Sequence, residues 1–206
     1  MEKHKKLCKH LAATLFLAMG TLGCSGNRET RTLTSDHMKP TLLTGDKVVF
    51  DSSKPPERGD IVIFSSPHSF DPVLKSGVNS KSSRCRLKKI PIISSIPGLG
   101  HPACEQYVSR VIAVAGDSVR IDERGKVILN GDQLEEAYVG NQYCKVDANG
   151  DGQCRALNAT VPKDHVLVLG DNRSNSWDGR YWPGGAFVPV VEIGGSAVSI
   201  HSQSTR

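Results

Sequence analysis

Short runs of β-branched and other apolar residues, separated by turn residues, recur along the chain after Gly26. Runs of this length and composition predict β-strands. Seven strands are predicted, at Lys47 to Asp51, Asp60 to Phe64, Val108 to Val114, Ser118 to Ile121, Lys126 to Leu129, His165 to Leu169 and Ser196 to Ile200. Arg124-Gly125 and Asn130-Gly131 predict hairpin turns between successive strands. Because no stretch beyond Gly26 has the apolar period of an amphipathic helix, the sequence predicts a mainly β fold.

The N-terminus has the three-part layout of a secretory signal. Its basic part holds four lysines, Lys3, Lys5, Lys6 and Lys9. The apolar part, from Leu11 to Gly23, is shorter than the ~20 residues that a membrane-spanning helix needs. Thr21-Leu22-Gly23-Cys24 resembles a bacterial lipobox in which Cys24 becomes the lipidated first residue, although Thr21 stands where Leu is preferred. We predict a lipoprotein-type signal at residues 1–23 and one domain at residues 24–206, with cleaved soluble export or an uncleaved anchor as alternatives.

The cysteines indicate an oxidising compartment. Cys8 lies in the signal and Cys24 at the processing site, which leaves four others, Cys85, Cys104, Cys144 and Cys154. Four cysteines allow three connectivities. Proximity in sequence favours Cys85 with Cys104 and Cys144 with Cys154. Each pair would close a loop within an insertion, the first at about residues 65–106 and the second at about residues 136–162.

A weak candidate for a calcium loop lies between the second pair of cysteines. Asp147, Asn149 and Asp151 stand at positions 1, 3 and 5 of such a loop, with Gly152 at position 6. The twelfth position is Asn158, where a bidentate Glu is expected. A polar turn at Asn149-Gly150 between two strands, closed by the disulfide, is therefore the favoured interpretation. We predict no cofactor and no other metal site.

The charge balance argues against a nucleic-acid partner. The full chain has 26 Lys and Arg against 21 Asp and Glu. Residues 1–23 contain four of the lysines and one glutamate, so 22 basic and 20 acidic residues remain after processing, a charge of +2. A balance this even does not create the basic surface that binds phosphates.

A dense polar segment, Gly170 to Trp182, follows directly after the apolar strand that ends at Leu169. It contains two carboxylates and two guanidiniums, on Asp171, Asp178, Arg173 and Arg180. Such groups form charge-assisted pairs that hold a loop rigid. Taken alone, the segment is equally compatible with a solvated turn.

Four segments in order resemble the sequence boxes of the type I signal peptidases. They are Ser35 to Leu42, Arg58 to Phe64, Tyr107 to Asp117 and Gly170 to Trp182. The resemblance covers most of the chain from about Thr32 to Val190. It implies a coiled, largely antiparallel β-sheet fold with loop insertions. It also implies a groove for an extended peptide, between residues 31–37 and residues 106–109.

The two catalytic positions of that family are substituted here. The family's nucleophile is the Ser directly before Met in the first box, and its base is the Lys directly before Arg in the third box. This chain has His37 before Met38 and Ser109 before Arg110. The Ser/Lys dyad of the family is therefore absent as such.

The supporting positions are retained. Ser35 matches a serine whose hydroxyl assists the oxyanion hole, and Ser176 matches a serine that orients the catalytic lysine. The resemblance also implies two structural ion pairs, Arg110 with Asp171 and Arg180 with Asp178. A scaffold that is kept while its dyad is replaced indicates a non-catalytic relative.

We therefore predict an exported pseudopeptidase, membrane-anchored on the periplasmic or cell-surface side. It would bind an extended peptide, an exported preprotein or an assembly partner at the membrane surface. The alternative is an active serine endopeptidase that cleaves signal peptides or propeptides. Its dyad would be exchanged between the strands, with Ser109 as nucleophile and His37 as base, or another nucleophile such as Ser35 would act.

Overall fold

The structure is a computed structural model that describes residues 27–74, 85, 104–140, 142–146 and 152–202. Several predictions fall outside these ranges. The signal at residues 1–23, the lipidation site Cys24 and the calcium-loop residues Asp147, Asn149 and Asp151 all lie outside the described residues.

The described residues form thirteen β-strands and only short helical turns. The strands are β1 (Arg28–Thr32), β2 (Lys47–Asp51), β3 (Ile61–Ser65), β4 (Gln106–Val114), β5 (Ser118–Ile121), β6 (Val127–Leu129), β7 (Asp132–Gln133), β8 (Lys145–Val146), β9 (Gly152–Gln153), β10 (Leu157–Thr160), β11 (His165–Leu169), β12 (Phe187–Pro189) and β13 (Ile193–His201). The 3₁₀ turns are Pro67–Ser69, Arg173–Asn175 and Val190–Glu192. The prediction of a mainly β fold is confirmed.

The strands form three antiparallel sheets. The largest has seven strands in the order β1-β2-β13-β3-β4-β11-β12, and a second has the order β10-β5-β6-β7. The third is the hairpin of β8 and β9. In the large sheet, β3 and β4 pair from Ile61 opposite Arg110 to Ser65 opposite Gln106. This register places the second and third sequence boxes side by side.

The predicted hairpin turns join β5 to β6 and β6 to β7. Asn130 and Gly131 have φ angles of 53° and 99°, and Gly125 has a φ angle of 79°. These left-handed conformations suit Asn and Gly, which explains the turn residues at both positions.

Strand β1 has no apolar alternation, and the sequence did not predict it. Its residues, Arg28–Thr32, are exposed or half-buried along their whole length. It is an edge strand that pairs with β2 alone, so pairing with the sheet, not burial of an apolar face, defines it. The short strands β7, β10 and β12 were missed as well, because two to four residues carry too little periodicity.

Three buried clusters form the core. The first lies against β5 and β6 and includes Ile112, Val119 and Leu167. The second packs beneath the first sequence box and includes Met38 and Leu42, both fully buried. The third surrounds the side chain of Trp182 and includes Val62, Phe64, Val111, Val166, Val168 and Val188. The clusters therefore anchor the segments on either side of His37, Ser109 and Ser176.

Both favoured disulfide pairings are present. Cys85 bonds to Cys104 and Cys144 bonds to Cys154, with Cα atoms 5.1 Å and 4.8 Å apart. The second disulfide flanks the hairpin of β8 and β9, in which Lys145 lies opposite Gln153. Two strands thus lie on either side of the predicted turn, whose residues Asn149 and Gly150 are outside the described residues. Among the described residues, no group of acidic, histidine or cysteine side chains is arranged to hold a metal ion.

Within the described ranges, no helix has the length and apolar character required to cross a membrane.

Candidate functional site

A groove with a cavity volume of about 470 Å³ lies between the first and third sequence boxes. Residues 31–37 form one wall and residues 105–109 form the other. Ile63 and residues 175–177 complete the lining. All four sequence boxes thus contribute to the groove, the second one through Ile63 on β3.

The wall formed by β1 has an unpaired edge. Leu33 directs its N–H and its C=O toward the β2 side, where they bond to Asp46 and Gly45 at 2.9 Å each. Because main-chain groups alternate in direction along an extended chain, Thr32 and Thr34 direct theirs to the opposite side. No other strand of the described residues pairs with that side of β1.

The facing wall has an unpaired edge as well. Val111 directs its N–H and C=O toward the β3 side, to Asp60 and Gly59. By alternation, Gln106 and Val108 direct theirs away from β3. On that side β11 pairs with β4 only as far as Arg110. Since four successive antiparallel pairings lead from β1 to β4, the two edges run in the same direction.

His37 lies in this groove with both ring nitrogens hydrogen-bonded. Its Nε2 atom makes a short hydrogen bond with the main-chain carbonyl of Val108. A carbonyl only accepts, so Nε2 carries the hydrogen and Nδ1 is the acceptor. Ser35 Oγ, 2.6 Å away, therefore donates to Nδ1. The structure thus pairs His37 with a serine of its own segment.

The imidazole of His37 is held in its neutral form. Burial lowers the pKa of His37 below the ordinary value of 6.5. The hydrogen bond to Val108 and the carboxylates of Asp178, Asp171 and Asp36 act in the opposite direction. Burial dominates, so the Nδ1 atom is a free base at neutral pH.

The other two predicted site serines line the same groove. Ser109 on β4 and Ser176 after the polar turn have relative exposures of 4% and 2%. Among the described residues, the hydrogen bonds of the His37 ring go to Ser35 and Val108. The ring therefore has no nitrogen left for the Ser109 hydroxyl, and the exchanged Ser109/His37 dyad is not hydrogen-bonded in this structure.

The polar segment forms bidentate ion pairs beside the groove. Arg110 bonds to both oxygens of Asp171, at 2.9 and 2.6 Å, and the hydroxyl of Thr41 donates to the same carboxylate. Arg180 bonds to both oxygens of Asp178, at 2.8 and 2.9 Å. These contacts tie the first, third and last sequence boxes together.

A third buried ion pair was missed by the sequence analysis. Arg173 bonds to both oxygens of Glu136, and each side chain has a relative exposure of 1%. Arg173 was recognised as part of the charged segment, but its partner lies 37 residues away at the start of an insertion. Nothing in the spacing indicates that pairing.

The last sequence box also positions the backbone of His37. The N–H of Asn172 donates to the carbonyl of His37, and its side-chain amide donates to the carbonyl of Asp36, both at 3.0 Å. Gly170 passes so close that a Cβ atom there would collide with Ser176 and with the carbonyl of His37. The loop therefore fixes His37 and Ser176 relative to each other.

The fold, the groove and the four boxes agree with a family profile described as "Signal peptidase, peptidase S26", which matches residues 7–202. The chain belongs to the signal peptidase family S26.

Several curated relatives share this family. The chain is 31% identical to "Signal peptidase I" of Leptolyngbya laminosa over 174 residues, covering 82% of this chain and 66% of that protein. It is 30% identical to "Probable signal peptidase I-2" of Synechocystis over 196 residues, covering 93% and 70%. It is 28% identical to "Thylakoidal processing peptidase 1, chloroplastic" of Arabidopsis thaliana, covering 96% of this chain and 49% of that protein.

Among solved structures, a crystal structure of a signal peptidase I from Enterococcus faecalis is similar at 24% identity. The match covers 71% of this chain and all of the chain in the crystal structure, with a TM-score of 0.41.

Proposed function

We propose that this signal peptidase family member is a pseudopeptidase that binds an extended segment of an exported protein in the groove between β1 and β4. The observation that carries the proposal is the presence of two unpaired strand edges facing one groove, with the same direction. A peptide laid between them gains main-chain hydrogen bonds on both sides. Such binding requires no catalytic group.

The polar groups of both walls are suited to this role. Thr32 and Thr34 offer main-chain donors and acceptors on one side. On the other side Gln106 offers both groups and Val108 offers its N–H, since the Val108 carbonyl is bonded to His37. Side chains of the peptide would alternate between the two faces of the new strand. Leu33, Ile63 and Val108, which belong to one buried cluster, provide apolar contact in the groove.

The proposal holds that the bound segment stays intact. Peptide hydrolysis needs a nucleophile, a base and a group that protonates the leaving amine. The family's Lys position carries Ser109, a hydroxyl that is neither basic nor acidic near neutral pH. The alternative, a peptidase with an exchanged dyad, requires a hydrogen bond between Ser109 and His37, and both nitrogens of His37 are engaged elsewhere.

The proposal also includes a cellular location, on the outer side of a membrane. The two disulfides fit an oxidising compartment. We propose that the protein is exported and is held at the membrane surface through a lipid on Cys24, where it meets exported preproteins or an assembly partner. Mass spectrometry of the intact protein from membranes tests this part, because acylation of Cys24 adds the mass of a lipid.

Hydrogen–deuterium exchange tests the binding mode. The full chain in detergent is mixed with an extended peptide that contains an Ala-x-Ala site, and exchange is compared with and without peptide. Protection is expected for the amides of Thr32, Thr34, Gln106 and Val108. The matched control is the same peptide with N-methyl groups on alternate backbone nitrogens, which keeps the side chains but removes main-chain donors. Equal binding of the methylated peptide, or no protection at these four amides, contradicts strand addition.

A further inference from the structure

We propose that Ser35 is a nucleophile activated by His37, and that this pair accepts acyl groups from esters or thioesters that enter the groove. Ser35 and His37 are two residues apart. By the resemblance His37 matches the family's nucleophile position but acts here as the base, and Ser35 lies outside the two dyad positions. The inference uses the same groove as the proposed function. It does not depend on peptide binding.

Two hydrogen bonds connect a hydroxyl, a base and a group that orients the base, namely Ser35 Oγ, the His37 ring and the Val108 carbonyl. Ser35 is exposed and lines the groove, so its oxygen is open to a ligand. Its Oγ atom lies 2.6 Å from His37 Nδ1, to which it donates, and the Val108 carbonyl holds the opposite nitrogen. A nucleophile, a base and a third group that orients the base form the arrangement on which hydroxyl nucleophiles depend.

The proposed step balances without any additional reactant. The Ser35 hydroxyl proton passes to His37 Nδ1 as the Oγ atom bonds to the acyl carbon. The bond from that carbon to the leaving oxygen or sulfur breaks, and the leaving group takes the proton from Nδ1. Water then attacks the acyl group, giving one proton through Nδ1 to the Ser35 oxygen, and releases a carboxylic acid.

The class of substrate follows from the leaving group. The one proton that the leaving group can receive is the proton that His37 Nδ1 took from Ser35. An amine must be fully protonated before it leaves, whereas a phenolate or thiolate leaves with little or no proton transfer. The proposal is therefore made for activated esters and thioesters, for which this single proton relay is sufficient.

A second Ser/His pair in the chain provides a matched control. Ser199 and His201 are also two residues apart, with Ser199 Oγ 3.3 Å from His201 Nε2, but they lie on β13 outside the groove. If a contact between a serine and a histidine two residues away were sufficient for reactivity, Ser199 would react like Ser35. The proposal requires that only Ser35 be reactive.

The test uses the full chain with a fluorophosphonate probe and with p-nitrophenyl acetate. We expect the phosphonyl adduct on Ser35, and ester hydrolysis reduced by roughly a hundredfold or more in Ser35→Ala and in His37→Asn. His37→Asn retains an N–H donor for Val108. Ser199→Ala should react like the natural protein. An absent adduct, an adduct on another serine, or hydrolysis unchanged in Ser35→Ala overturns the proposal.

Two further measurements separate this inference from folding and from peptide binding. Each variant is unfolded thermally, and only variants that unfold like the natural protein are compared. In the natural protein itself, labelling should slow as the pH is lowered through the pKa of folded His37, which burial places below 6.5, and His37 gains a proton next to Asp36, Asp171 and Asp178. A rate that does not change there overturns the proposal without any variant. Peptide binding is measured on the natural protein itself through the protection of the four groove amides, so a failure of peptide binding is seen independently of labelling.

Discussion

The Nε2 atom of His37 donates a hydrogen bond to the main-chain carbonyl of Val108. That carbonyl lies on the unpaired edge of β4 and faces the groove. His37 therefore occupies an acceptor that a bound peptide strand would use. His37 competes with the peptide at this one position.

Replacing His37 with Ala should tighten peptide binding, because it frees the Val108 carbonyl. A single net hydrogen bond is worth about 0.5–1.5 kcal/mol, which corresponds to roughly a two- to tenfold lower Kd. Fluorescence anisotropy with a labelled Ala-x-Ala peptide measures this change. Ser35→Ala, which leaves the contact with Val108 in place, should keep the Kd of the natural protein. Weaker binding by His37→Ala would show that His37 contacts the peptide favourably.

The stability of the protein should fall on mild acidification in a manner that depends on His37. Burial lowers the pKa of His37 in the folded state below its value of 6.5 in the unfolded chain. Below pH 6.5 the unfolded state binds the proton first, so the free energy of unfolding decreases until the folded state also becomes protonated. Urea denaturation from about pH 8 to about pH 5 measures this slope, and His37→Asn serves as the reference that lacks it. Parallel curves for the two proteins would exclude a lowered pKa at His37.

The buried pair of Arg173 and Glu136 should be far more sensitive to substitution than a surface pair. Replacing Glu136 with Ala leaves a buried guanidinium without its partner, which costs about 3–5 kcal/mol of the free energy of unfolding. Arg28 and Asp51 form an ion pair at the surface, where the Arg28 side chain is 66% exposed. Arg28→Ala should therefore cost less than about 1 kcal/mol. Chemical denaturation of both variants makes the comparison, and equal losses would contradict the burial of the Arg173 pair.

The disulfide of Cys144 and Cys154 should stabilise the protein by restricting the unfolded chain. Its cysteines are 10 residues apart. Closure of a loop of this length is worth about 2–3 kcal/mol on the chain-entropy account. The double variant Cys144→Ser, Cys154→Ser should lose that amount in urea denaturation under oxidising conditions. The loss should shrink when both proteins are measured with a reducing agent, and a loss that persists would point to contacts of the sulfur atoms.

The sequence predicted most of the strands that have an apolar face, and it missed β1, which lacks one. Residues 47–51, 118–121 and 165–169 were placed correctly, because their alternating or continuous apolar residues are buried in the sheet. Strand β1, by contrast, is Arg-Glu-Thr-Arg-Thr and is defined only by pairing with β2. Edge pairing of polar residues leaves no period in a sequence.

The same contrast holds at the site. The resemblance predicted that His37, Ser109 and Ser176 share one groove, because each sequence box has a fixed place in the fold, and all three residues line that groove. It could not indicate the direction of the His37 ring, which depends on hydrogen bonds to Ser35 and to a main-chain carbonyl on another strand. Every residue has a main-chain carbonyl, so the sequence does not indicate which carbonyl accepts the hydrogen bond from His37. Only the three-dimensional structure shows this contact.

The most direct test of the central claim is an assay of peptide fate. The purified full chain in detergent is incubated with exported precursor peptides that carry Ala-x-Ala sites, and both bound peptide and products are analysed by mass spectrometry. Our account predicts that the peptide binds and is recovered intact after many times the residence time of the complex. Cleavage at the Ala-x-Ala site that is lost in both Ser109→Ala and His37→Ala would contradict it and establish the exchanged dyad.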